Sequence, residues 1–562
     1  MSVALIIMSR KLVRNVDILL SKEKGTIYKD PGGKINVCLV YPNTYHLGMS
    51  NLGFQGIYGL LNRENSVVCE RGFLPDEEDI EEHRRTETPL FSFESKRILS
   101  NFDIVAFSVS FENDYPNILR ILDLARIPSR SSTRDHRQPL LIAGGVCCFF
   151  NPEPIAEIFD IIFVGEAEES LDEFLNFYRD QMMQGGKWTG RRFNDHKKEI
   201  KNGALKIEGL YVPEYYRIDY HSDGTLSGRV PFNNAPEKIR KRHVADLTRI
   251  PFATSIMTPE TEFSEMYLIE VMRGCPWSCR FCVVGHIYSP PRKKELTTIE
   301  GEIAHAKEVA RKIGLISPSL SDYPDVKRVI GIDGVDFSIT SLRADMKGRE
   351  LVQLLKGRRS VSIAPEAGTE RLRRIINKKI TEEDVLGTSA LILESGIENL
   401  KLYFMIGLPT ETADDVAGIV ELVKKIRALS QRGTIVMTVS TFVPKPFTPF
   451  QWHPMDKLDS VKEKLKFIKK SLKDERGVRV FHDVPKYAHM QGLFARGDRR
   501  ILNVLNEMIR TDHWVKACAA AGLNEEFYLF RGRDIAEALP WDFIDVGISK
   551  ERLWLEYEKA LS

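Results

Sequence analysis

Three cysteines within eight positions are the strongest chemical signal in this chain of 562 residues. Cys275, Cys279 and Cys282 follow the spacing C-x3-C-x2-C. Gly274 and Pro276 flank the first cysteine and favour a tight loop. Thiolates on closely spaced loops are ligands for zinc and for iron–sulfur clusters. The spacing therefore predicts a metal centre built on three thiolates.

Four arrangements fit three cysteines at this spacing. A structural zinc site needs four ligands, and His286, four residues past Cys282, is a candidate for the fourth. A disulfide switch would leave one thiol over, and the cluster of thiols is also compatible with a coincidence of burial. The favoured arrangement is an iron–sulfur cube held by three cysteines, with one iron left open to bind a substrate.

Composition excludes several classes of protein. A net charge of +2 with 28% charged residues is ordinary for a soluble globular protein and gives no strongly basic surface. The basic run KIRKRH at 238–243 is best explained as a solvated linker, although nucleic acid stays open as a partner. Eight cysteines are too few for a disulfide scaffold. We therefore expect a cytoplasmic protein with reduced thiols.

Apolar runs are too short to span a membrane. The longest near the N-terminus, VALIIM, is far below the roughly 18 residues that a membrane helix needs, and it lacks a signal-peptide cleavage site. We therefore expect no membrane span, and we interpret this run as part of a strand.

Strands and helices alternate from about residue 34, which predicts an α/β fold with a parallel sheet. We expect a doubly wound, Rossmann-like domain at 31–182 after an N-terminal extension at 1–30. Residues 183–260 are expected to connect it to the next domain and to contain a hairpin at 217–230. Short apolar runs that predict its buried strands lie at 35–42, 102–111, 139–146 and 159–166.

The alternation restarts near residue 262 and predicts a partial (β/α)6 barrel of the TIM type over 261–455. In such barrels the chemistry lies at the carboxyl ends of the strands, and the cysteine loop follows the first strand. Residues 456–562 are expected to be mainly helical. The six candidate strands lie at 266–273, 312–317, 334–340, 359–365, 399–407 and 435–443.

The motifs of this second region resemble those of the radical S-adenosylmethionine (SAM) superfamily. The pattern C-x3-C-x-aromatic-C follows the first strand, with Phe281 as the aromatic residue. SIAPEAGTERLRRIINKKITEEDV resembles the fourth-strand segment, LYFMIGLPTETADDV the fifth and FVPKPFTPF the sixth. Four motifs in the same order between residues 266 and 455 argue against coincidence.

The resemblance implies a [4Fe–4S] cluster on Cys275, Cys279 and Cys282 whose open iron chelates SAM. One electron would then cleave the C5′–S bond of SAM, and the resulting 5′-deoxyadenosyl radical would abstract hydrogen from a substrate. An electron donor such as flavodoxin or ferredoxin is implied as a partner.

The same resemblance places the SAM contacts on six residues. Where the superfamily often carries a Gly-Gly-Glu-like segment, this chain has ISPSLSD, so two serines are the candidate replacements. Glu366 taken alone fits equally well as a carboxylate at a helix N-terminus. The implied SAM-binding residues are Phe281, Ser317, Ser319, Glu366, Thr369 and Gly407.

The first domain resembles the cobalamin-binding domains that are fused to radical SAM domains. The order FSVS, IAGG and VGEAEESL matches the loops that follow successive strands there, and glycines allow a close approach to a large planar ligand. The first loop, PNTYHLGMSNLG, lacks the Asp-x-His-x-x-Gly motif, so His46 is a weak candidate for an axial cobalt ligand. The implied cobalamin-binding residues are Tyr45, His46, Ser108, Ser110, Gly144, Gly145, Gly165 and Glu166.

Nearly the whole chain resembles an uncharacterised family of cobalamin-domain radical SAM proteins. The leading hypothesis is a cobalamin-dependent methyltransferase, similar to class B enzymes, that methylates an unactivated carbon of an unknown substrate. A radical SAM enzyme of non-methylating type, for cyclisation, rearrangement or RNA methylthiolation, is the first alternative. Methylthiolation is disfavoured because the five other cysteines form no second triplet. The second alternative is a cobalamin or cluster sensor without turnover.

Overall fold

The apolar runs of the first region form one six-stranded sheet. The computed structural model describes residues 8–135, 137–184, 190–250, 252–339, 341–355, 358–511 and 513–562. The strands are β1 (Ile35–Tyr41), β2 (Val67–Phe73), β3 (Ile104–Ser108), β4 (Leu140–Gly144), β5 (Ile161–Phe163) and β6 (Leu210–Tyr211). Their spatial order is β2-β1-β3-β4-β5-β6, and every neighbouring pair is parallel except β5 and β6.

The strand order reverses beside β1, because β2 lies on one side of it and β3 on the other. In open parallel sheets such a reversal leaves a crevice at the carboxyl ends of the strands, where ligands bind. Helices connect the strands of this region: α1 (Arg10–Ser21), α2 (Tyr45–Met49), α3 (Leu52–Arg63), α4 (Glu77–Arg85), α5 (Tyr115–Leu124), α6 (Val146–Phe150), α7 (Ala167–Gln184) and α8 (Gly190–Ala204).

Strand β2 was not predicted, because two charged residues interrupt its apolar pattern. All seven of its residues are buried, including Glu70 and Arg71. The Arg71 guanidinium lies 2.7 Å from carboxylate oxygens of both Glu23 and Glu94. Such a buried cation is tolerated because both partners are present. Glu23 thereby ties the segment after α1 to the sheet.

The connecting segment contains the expected hairpin, β7 (Tyr216–Tyr220) and β8 (Leu226–Pro231), which pair antiparallel. The basic run at 238–243 is partly built into the fold. Its β9 (Ile239–Arg240) pairs with β20 (Ile544–Asp545) near the end of the chain. Lys241 is buried and donates a hydrogen bond to the carbonyl oxygen of Ile287.

All six strand segments expected in the second region are strands. Most of their residues belong to two parallel sheets. The first has the order β10 (Met266–Glu270), β13 (Lys312–Ile316), β14 (Asp336–Ser338), and the second the order β15 (Ser341–Leu342), β16 (Ser360–Glu366), β17 (Asn399–Ile406), β18 (Thr434–Thr441), β19 (Val478–His482). The short strands β11 (Met272–Arg273) and β12 (Arg292–Lys293) form a separate antiparallel pair.

Helices cover one face of these sheets. The face of α15 that carries Val416, Ile419 and Val423 is buried, and Thr412 caps the helix N-terminus. The helices are α9 (Val284–Ile287), α10 (Leu296–Val309), α11 (Val326–Ile330), α12 (Met346–Val352), α13 (Glu370–Ile375), α14 (Glu382–Glu394), α15 (Ala413–Leu429) and α16 (Leu458–Ser471).

The second sheet continues past residue 455, into the region expected to be mainly helical. After α16 the chain returns as β19, which pairs with β18 from Ile435↔Val478 to Val439↔His482. The helices that follow pack on the first domain, where Arg499 donates to Glu153 at 3.0 Å and to the Tyr211 hydroxyl at 2.6 Å. They are α17 (Pro485–Arg496), α18 (Ile501–Thr511), α19 (Trp514–Ala520), α20 (Glu525–Leu529) and α21 (Lys550–Leu561).

Within the described ranges, no helix combines the length and the apolar character that crossing a bilayer requires.

Candidate functional site

The cysteine loop begins directly after β11 and is folded tightly back on itself. Gly274 has φ +80°, and a side chain there would collide with the carbonyl oxygen of Tyr288. Only glycine adopts this backbone conformation without strain. The loop therefore presents the three cysteines on one short segment between β11 and α9.

The three thiols lie close enough together to act on one another electrostatically. Burial raises the pKa of all three, to about 11 for Cys282. Cys279 raises the pKa of Cys275 further, and Cys279 and Cys275 both raise that of Cys282. Backbone N–H groups oppose this effect by donating toward the sulfurs of Cys275 and Cys282. The charges of Lys378 and Arg343 oppose it at Cys279. These donors and cations would stabilise the thiolates when a metal replaces their protons.

This set of soft thiolate donors fits an iron–sulfur cluster. His286, the fourth ligand of the zinc alternative, is buried, and its Nε2 lies 3.3 Å from the carbonyl oxygen of Cys279. Nowhere in the described ranges do three His, Cys, Asp or Glu side chains converge closely enough to hold a single metal ion.

An anchor that sequence reasoning missed holds the middle of the cysteine loop. The Trp277 indole donates to the Asp322 carboxylate at 2.6 Å, and the Arg343 guanidinium stacks 3.7 Å above the Trp277 ring. Asp322 also accepts from Ser319 at 2.9 Å and pairs with Lys347 at 2.8 Å. The segment after β13, expected to bind SAM, therefore also positions the loop that carries the cysteines.

The opposite side of the loop is held by the chain after α13 and by the last helix. Arg280 donates to the carbonyl oxygen of Ile375 at 2.7 Å and pairs with Glu556 of α21 at 2.9 Å. Asn377 donates to the carbonyl oxygen of Ser278 at 2.8 Å. The C-terminal region thus contributes to the rigidity of the cysteine loop.

Glu366 ends β16 at a bulge, with its carboxylate beside the cysteine loop. Its φ of +67° is rare for a residue with a side chain, and such strain is concentrated at functional sites. The carboxylate pairs with Lys378 at 2.9 Å. Both charges act on the pKa of the Cys279 thiol. Glu366 is therefore well placed to contact a ligand bound at this loop.

The other residues expected to bind SAM differ in how free they are. Ser317 lines a cavity between the first sheet and the cysteine loop, whereas the Ser319 hydroxyl donates a hydrogen bond to Asp322. Thr369 caps α13 and donates to Asp415. The Gly407 N–H is bonded to Glu411 at 3.0 Å. Phe281 is half-buried and packs against the large hydrophobic core that joins the first domain, the segment after β16 and the C-terminal region.

A cavity of about 660 Å³ lies between the first sheet and the cysteine loop. Its walls are largely apolar, with contributions from Leu39, Ile142 and Phe163 of the first sheet. Gly274 and Ser317 line it from the second region. It brings together six of the eight residues expected to bind cobalamin, Ser108, Ser110, Gly144, Gly145, Gly165 and Glu166.

The two adjacent glycines at the end of β4 have different roles. Gly145 has φ +101°, and a Cβ there would lie 2.5 Å from the carbonyl oxygen of Val109, so the backbone itself requires glycine. At Gly144 a Cβ would meet only the Phe163 side chain, at an ordinary 3.7 Å. The backbone at Gly144 would therefore accept a side chain, and the absence of one leaves free space in the cavity.

Tyr45 and His46, which were also expected to bind cobalamin, are not among the residues that line this cavity. The Tyr45 ring is buried against Phe73 and Phe93, and its hydroxyl donates to Glu23 at 2.6 Å. His46 is exposed, with its Nε2 3.2 Å from Glu262. Both side chains turn away from the crevice because α2 begins at Tyr45.

An ion cluster that the sequence did not reveal forms the polar rim of the cavity. Arg273, directly before the cysteine loop, lies 2.6 Å from Glu168, 3.0 Å from Glu166 and 2.8 Å from Glu270. Arg292 holds Glu166 at 2.6 Å. Burial opposes the ionisation of Glu166, but these two arginines keep its pKa below the usual value. The cluster fixes the first domain against β10 and β11.

Comparisons with known proteins agree with this arrangement. The family model described as "Radical SAM proteins, N-terminal" matches residues 53–213, and the model "Radical SAM superfamily" matches residues 269–423. The chain is 30% identical over 479 residues to the uncharacterised protein MJ0966 of Methanocaldococcus jannaschii, which covers 84% of this chain and 90% of that protein.

Two further similarities are partial. A tRNA-2-methylthio-N(6)-dimethylallyladenosine synthase of Chloroherpeton thalassium is 24% identical over 177 residues, 28% of this chain and 39% of that enzyme. A solved structure of the cobalamin-dependent SAM radical enzyme OxsB with aqua-cobalamin has a TM-score of 0.46 and 16% identity, over 79% of this chain and 56% of that one. The two family models, and the relative that matches 84% of this chain, show that the chain belongs to the radical SAM superfamily, in one family with MJ0966. Its radical SAM domain implies a [4Fe–4S] cluster and SAM.

Proposed function

We propose that this radical SAM enzyme holds cobalamin in its first domain and methylates an unactivated carbon of its substrate. The observation that carries the proposal is the cavity shared by the two regions. It joins the carboxyl ends of β3, β4 and β5 to Ser317 and to Gly274, the residue before Cys275. A cofactor at the strand ends of the first sheet and another at the cysteine loop would meet in this cavity, and chemistry between them requires such proximity.

The cavity has the character expected of a site for a large ligand, with mostly apolar walls and a few polar groups. Its walls are aliphatic and aromatic, while the hydroxyls of Ser108 and Ser110 and the open space at Gly144 lie where β3 and β4 end. The reversal of strand order beside β1 places a ligand crevice at the same edge. We infer a Rossmann-like cobalamin site here, and a partial barrel of the TIM type for the second region.

In the proposed enzyme, Cys275, Cys279 and Cys282 would hold the [4Fe–4S] cluster, which would supply the electron for reductive cleavage of SAM. Glu366 and Ser317 accept hydrogen bonds from SAM, and Lys378 holds the Glu366 carboxylate in place. Cobalamin, when bound, supplies a transferable methyl group. The apolar walls exclude water from the space between these groups, which protects a reactive radical from side reactions.

The test uses the full-length protein reconstituted without oxygen with iron, sulfide and cobalamin. With a low-potential donor such as flavodoxin or ferredoxin, we expect 5′-deoxyadenosine from SAM and transfer of the SAM methyl group to bound cobalamin. Protein that cleaves SAM while retaining no cobalamin would contradict the methyltransferase proposal and leave a radical SAM enzyme of another type.

A second candidate is RNA modification without cobalamin. It is favoured by the partial similarity to an enzyme named for methylthiolation of tRNA. The other cysteines argue against a second cluster, because no three of them lie together: Cys38 and Cys69 are on the neighbouring strands β1 and β2, Cys147 and Cys148 are in α6 and Cys518 is in α19. Iron analysis distinguishes the two, since one cube gives about four irons per chain and two give about eight.

A further inference from the structure

Two strands of the second sheet carry the same pattern of a cation followed two residues later by an aromatic residue. These pairs are Lys401 and Tyr403 in β17 and Arg479 and Phe481 in β19. The register aligns them across β18, because Lys401 and Arg479 both pair with Val436, and Tyr403 and Phe481 both pair with Thr438. The four residues therefore form two rows on a single face of the sheet.

This face is the one turned away from the covering helices. The alternate residues Leu400, Leu402 and Phe404 of β17 are fully buried in the core beneath α14 and α15. Side chains alternate between the two faces of a strand, so Lys401 and Tyr403 point the opposite way. Tyr403 remains 40% exposed and Phe481 55% exposed. The sheet thus leaves two large rings open to a ligand.

The two cations on this face have no ion-pair partner among the described residues. Lys401 and Arg479 form no side-chain ion pair or hydrogen bond with the residues that the structure describes. The residues between them, Val436 and Thr438, are uncharged. Two strand spacings, about 10 Å, separate the rows of Tyr403 and Phe481. Exposed rings beside unpaired cations are the combination that binds unpaired bases and their phosphates.

The face adjoins the candidate SAM site. In the register between β16 and β17, Glu366 pairs with Phe404, the neighbour of Tyr403. Glu366 in turn acts on the Cys279 thiol. A base stacked on Tyr403 would therefore lie next to the site where a radical is formed.

We propose that this open face binds a single-stranded nucleic acid, with bases stacked on Tyr403 and Phe481 and phosphates held by Lys401 and Arg479. The inference deepens the proposed function by naming its substrate class, and it rests on the radical SAM function for the chemistry only. Binding itself requires neither cluster reduction nor methyl transfer, so the two ideas fail separately.

The test measures fluorescence anisotropy of labelled 12-nucleotide RNA and DNA single strands with the reconstituted full-length protein. We expect Tyr403→Ala and Phe481→Ala each to weaken binding by roughly 5- to 100-fold, the range for loss of one stacked base. Tyr403→Phe should retain affinity, because the ring remains. Lys401→Ala and Arg479→Ala should each reduce the slope of log affinity against log salt by about 0.7.

Helix α16 supplies matched controls on the outer surface. Phe467 is 45% exposed and Lys470 is also exposed, so Phe467→Ala and Lys470→Ala remove the same chemical groups elsewhere. These variants should bind as the unaltered protein does, and thermal melting should show that all variants are folded.

Three results would overturn the proposal. The first is the absence of oligonucleotide binding at 50 mM salt. The second is a loss of affinity in the α16 control variants equal to that in the variants of the open face. The third is an acidic peptide that binds the same four residues more tightly than either oligonucleotide. Formation of 5′-deoxyadenosine without nucleic acid is measured in parallel, so that failed binding is not confused with failed radical chemistry.

Discussion

The cavity between the domains and the open face of the second sheet differ in how enclosed they are and in whether their charges are paired. The cavity is enclosed by apolar walls and has a rim of charges that are already paired, Arg273 and Arg292 with Glu166, Glu168 and Glu270. The open face has exposed rings, and its two cations have no described ion-pair partner. Paired charges fix a site, whereas unpaired charges leave attraction for a ligand that comes and goes.

The cysteine loop lies between these two regions and serves both. Gly274 lines the cavity, while Glu366 and Lys378 connect the loop to the strand beside Tyr403. Under the two proposals, a cofactor stays bound on one side of the loop, and a substrate binds and leaves on the other.

Removal of one cysteine should have the largest effect, because the proposed radical chemistry depends on the cluster. Cys279→Ala should lower iron from about four per chain to near zero and abolish 5′-deoxyadenosine formation. Iron analysis and product chromatography measure this. Cys518→Ala, at a buried cysteine outside the loop, should retain iron and activity. Retention of a full cluster in Cys279→Ala would refute the assignment of the ligands.

Removal of the central cation of the rim should damage the cavity and spare the open face. Arg273→Met leaves Glu166, Glu168 and Glu270 short of a partner, and loss of one member of a buried ion network costs about 3–5 kcal/mol. Denaturant titration should show this loss of stability. Arg249→Met removes an exposed arginine and should cost less than about 1 kcal/mol. Equal effects of the two substitutions would show that the rim does not hold the domains together.

Loss of the Trp277 anchor should have an intermediate effect on the loop. Asp322→Ala removes the acceptor for the Trp277 indole, so the cysteines should be held less rigidly. Outer ligands of this kind typically change metal affinity or activity by about 10- to 100-fold. The rate of iron loss to a chelator and the electron paramagnetic resonance line shape of the reduced cluster should both change. Asp459→Ala, on the exposed face of α16, should change neither.

The smallest effect should be a dependence of stability on pH that comes from Lys241, a buried lysine near Glu166 of the rim. Burial lowers the pKa of Lys241 to about 8, against about 10.4 in an unfolded chain. Between these values the unfolded chain binds more protons, so stability should rise as pH increases from 8 to 10, by no more than about 3 kcal/mol.

Denaturation curves between pH 7.5 and 9.5 measure this rise. Lys241→Met should abolish the contribution, while Lys238→Met, at an exposed lysine of the same basic run, should keep it. An identical pH profile in Lys241→Met would show that Lys241 is not the group that titrates.

Local patterns predicted most strands and the thiolate loop, because short apolar runs and cysteine spacing are properties of neighbouring residues. Local patterns failed to predict features that depend on contacts between residues far apart in the sequence. Strand β2 is hidden by Arg71, which is buried only because Glu23 and Glu94 meet it from elsewhere in the chain. The rim of Arg273 and the Trp277–Asp322 anchor join segments far apart in sequence.

The same limit explains why two of the residues expected to bind cobalamin lie away from the cavity. Tyr45 and His46 occupy the correct loop in sequence, but α2 turns their side chains toward the aromatic core and toward Glu262. The pairing of Lys401 with Arg479 across β18 depends on the register of β19, whose existence as a seventh step was not predicted. Register follows from tertiary contacts, so a single sequence does not supply it.

The central claim, that the cavity between the domains holds cobalamin, is tested most directly by cobalamin stoichiometry in a pair of glycine variants. Gly144→Leu fills cavity space that the backbone does not need, and Gly228→Leu adds the same side chain on the β7–β8 hairpin, where it meets nothing. After reconstitution and desalting, absorbance should show about one cobalamin per chain in the unaltered protein and in Gly228→Leu, and little in Gly144→Leu, with iron equal in all three. Cobalamin retained equally by Gly144→Leu, or by none of the three proteins, would contradict the claim.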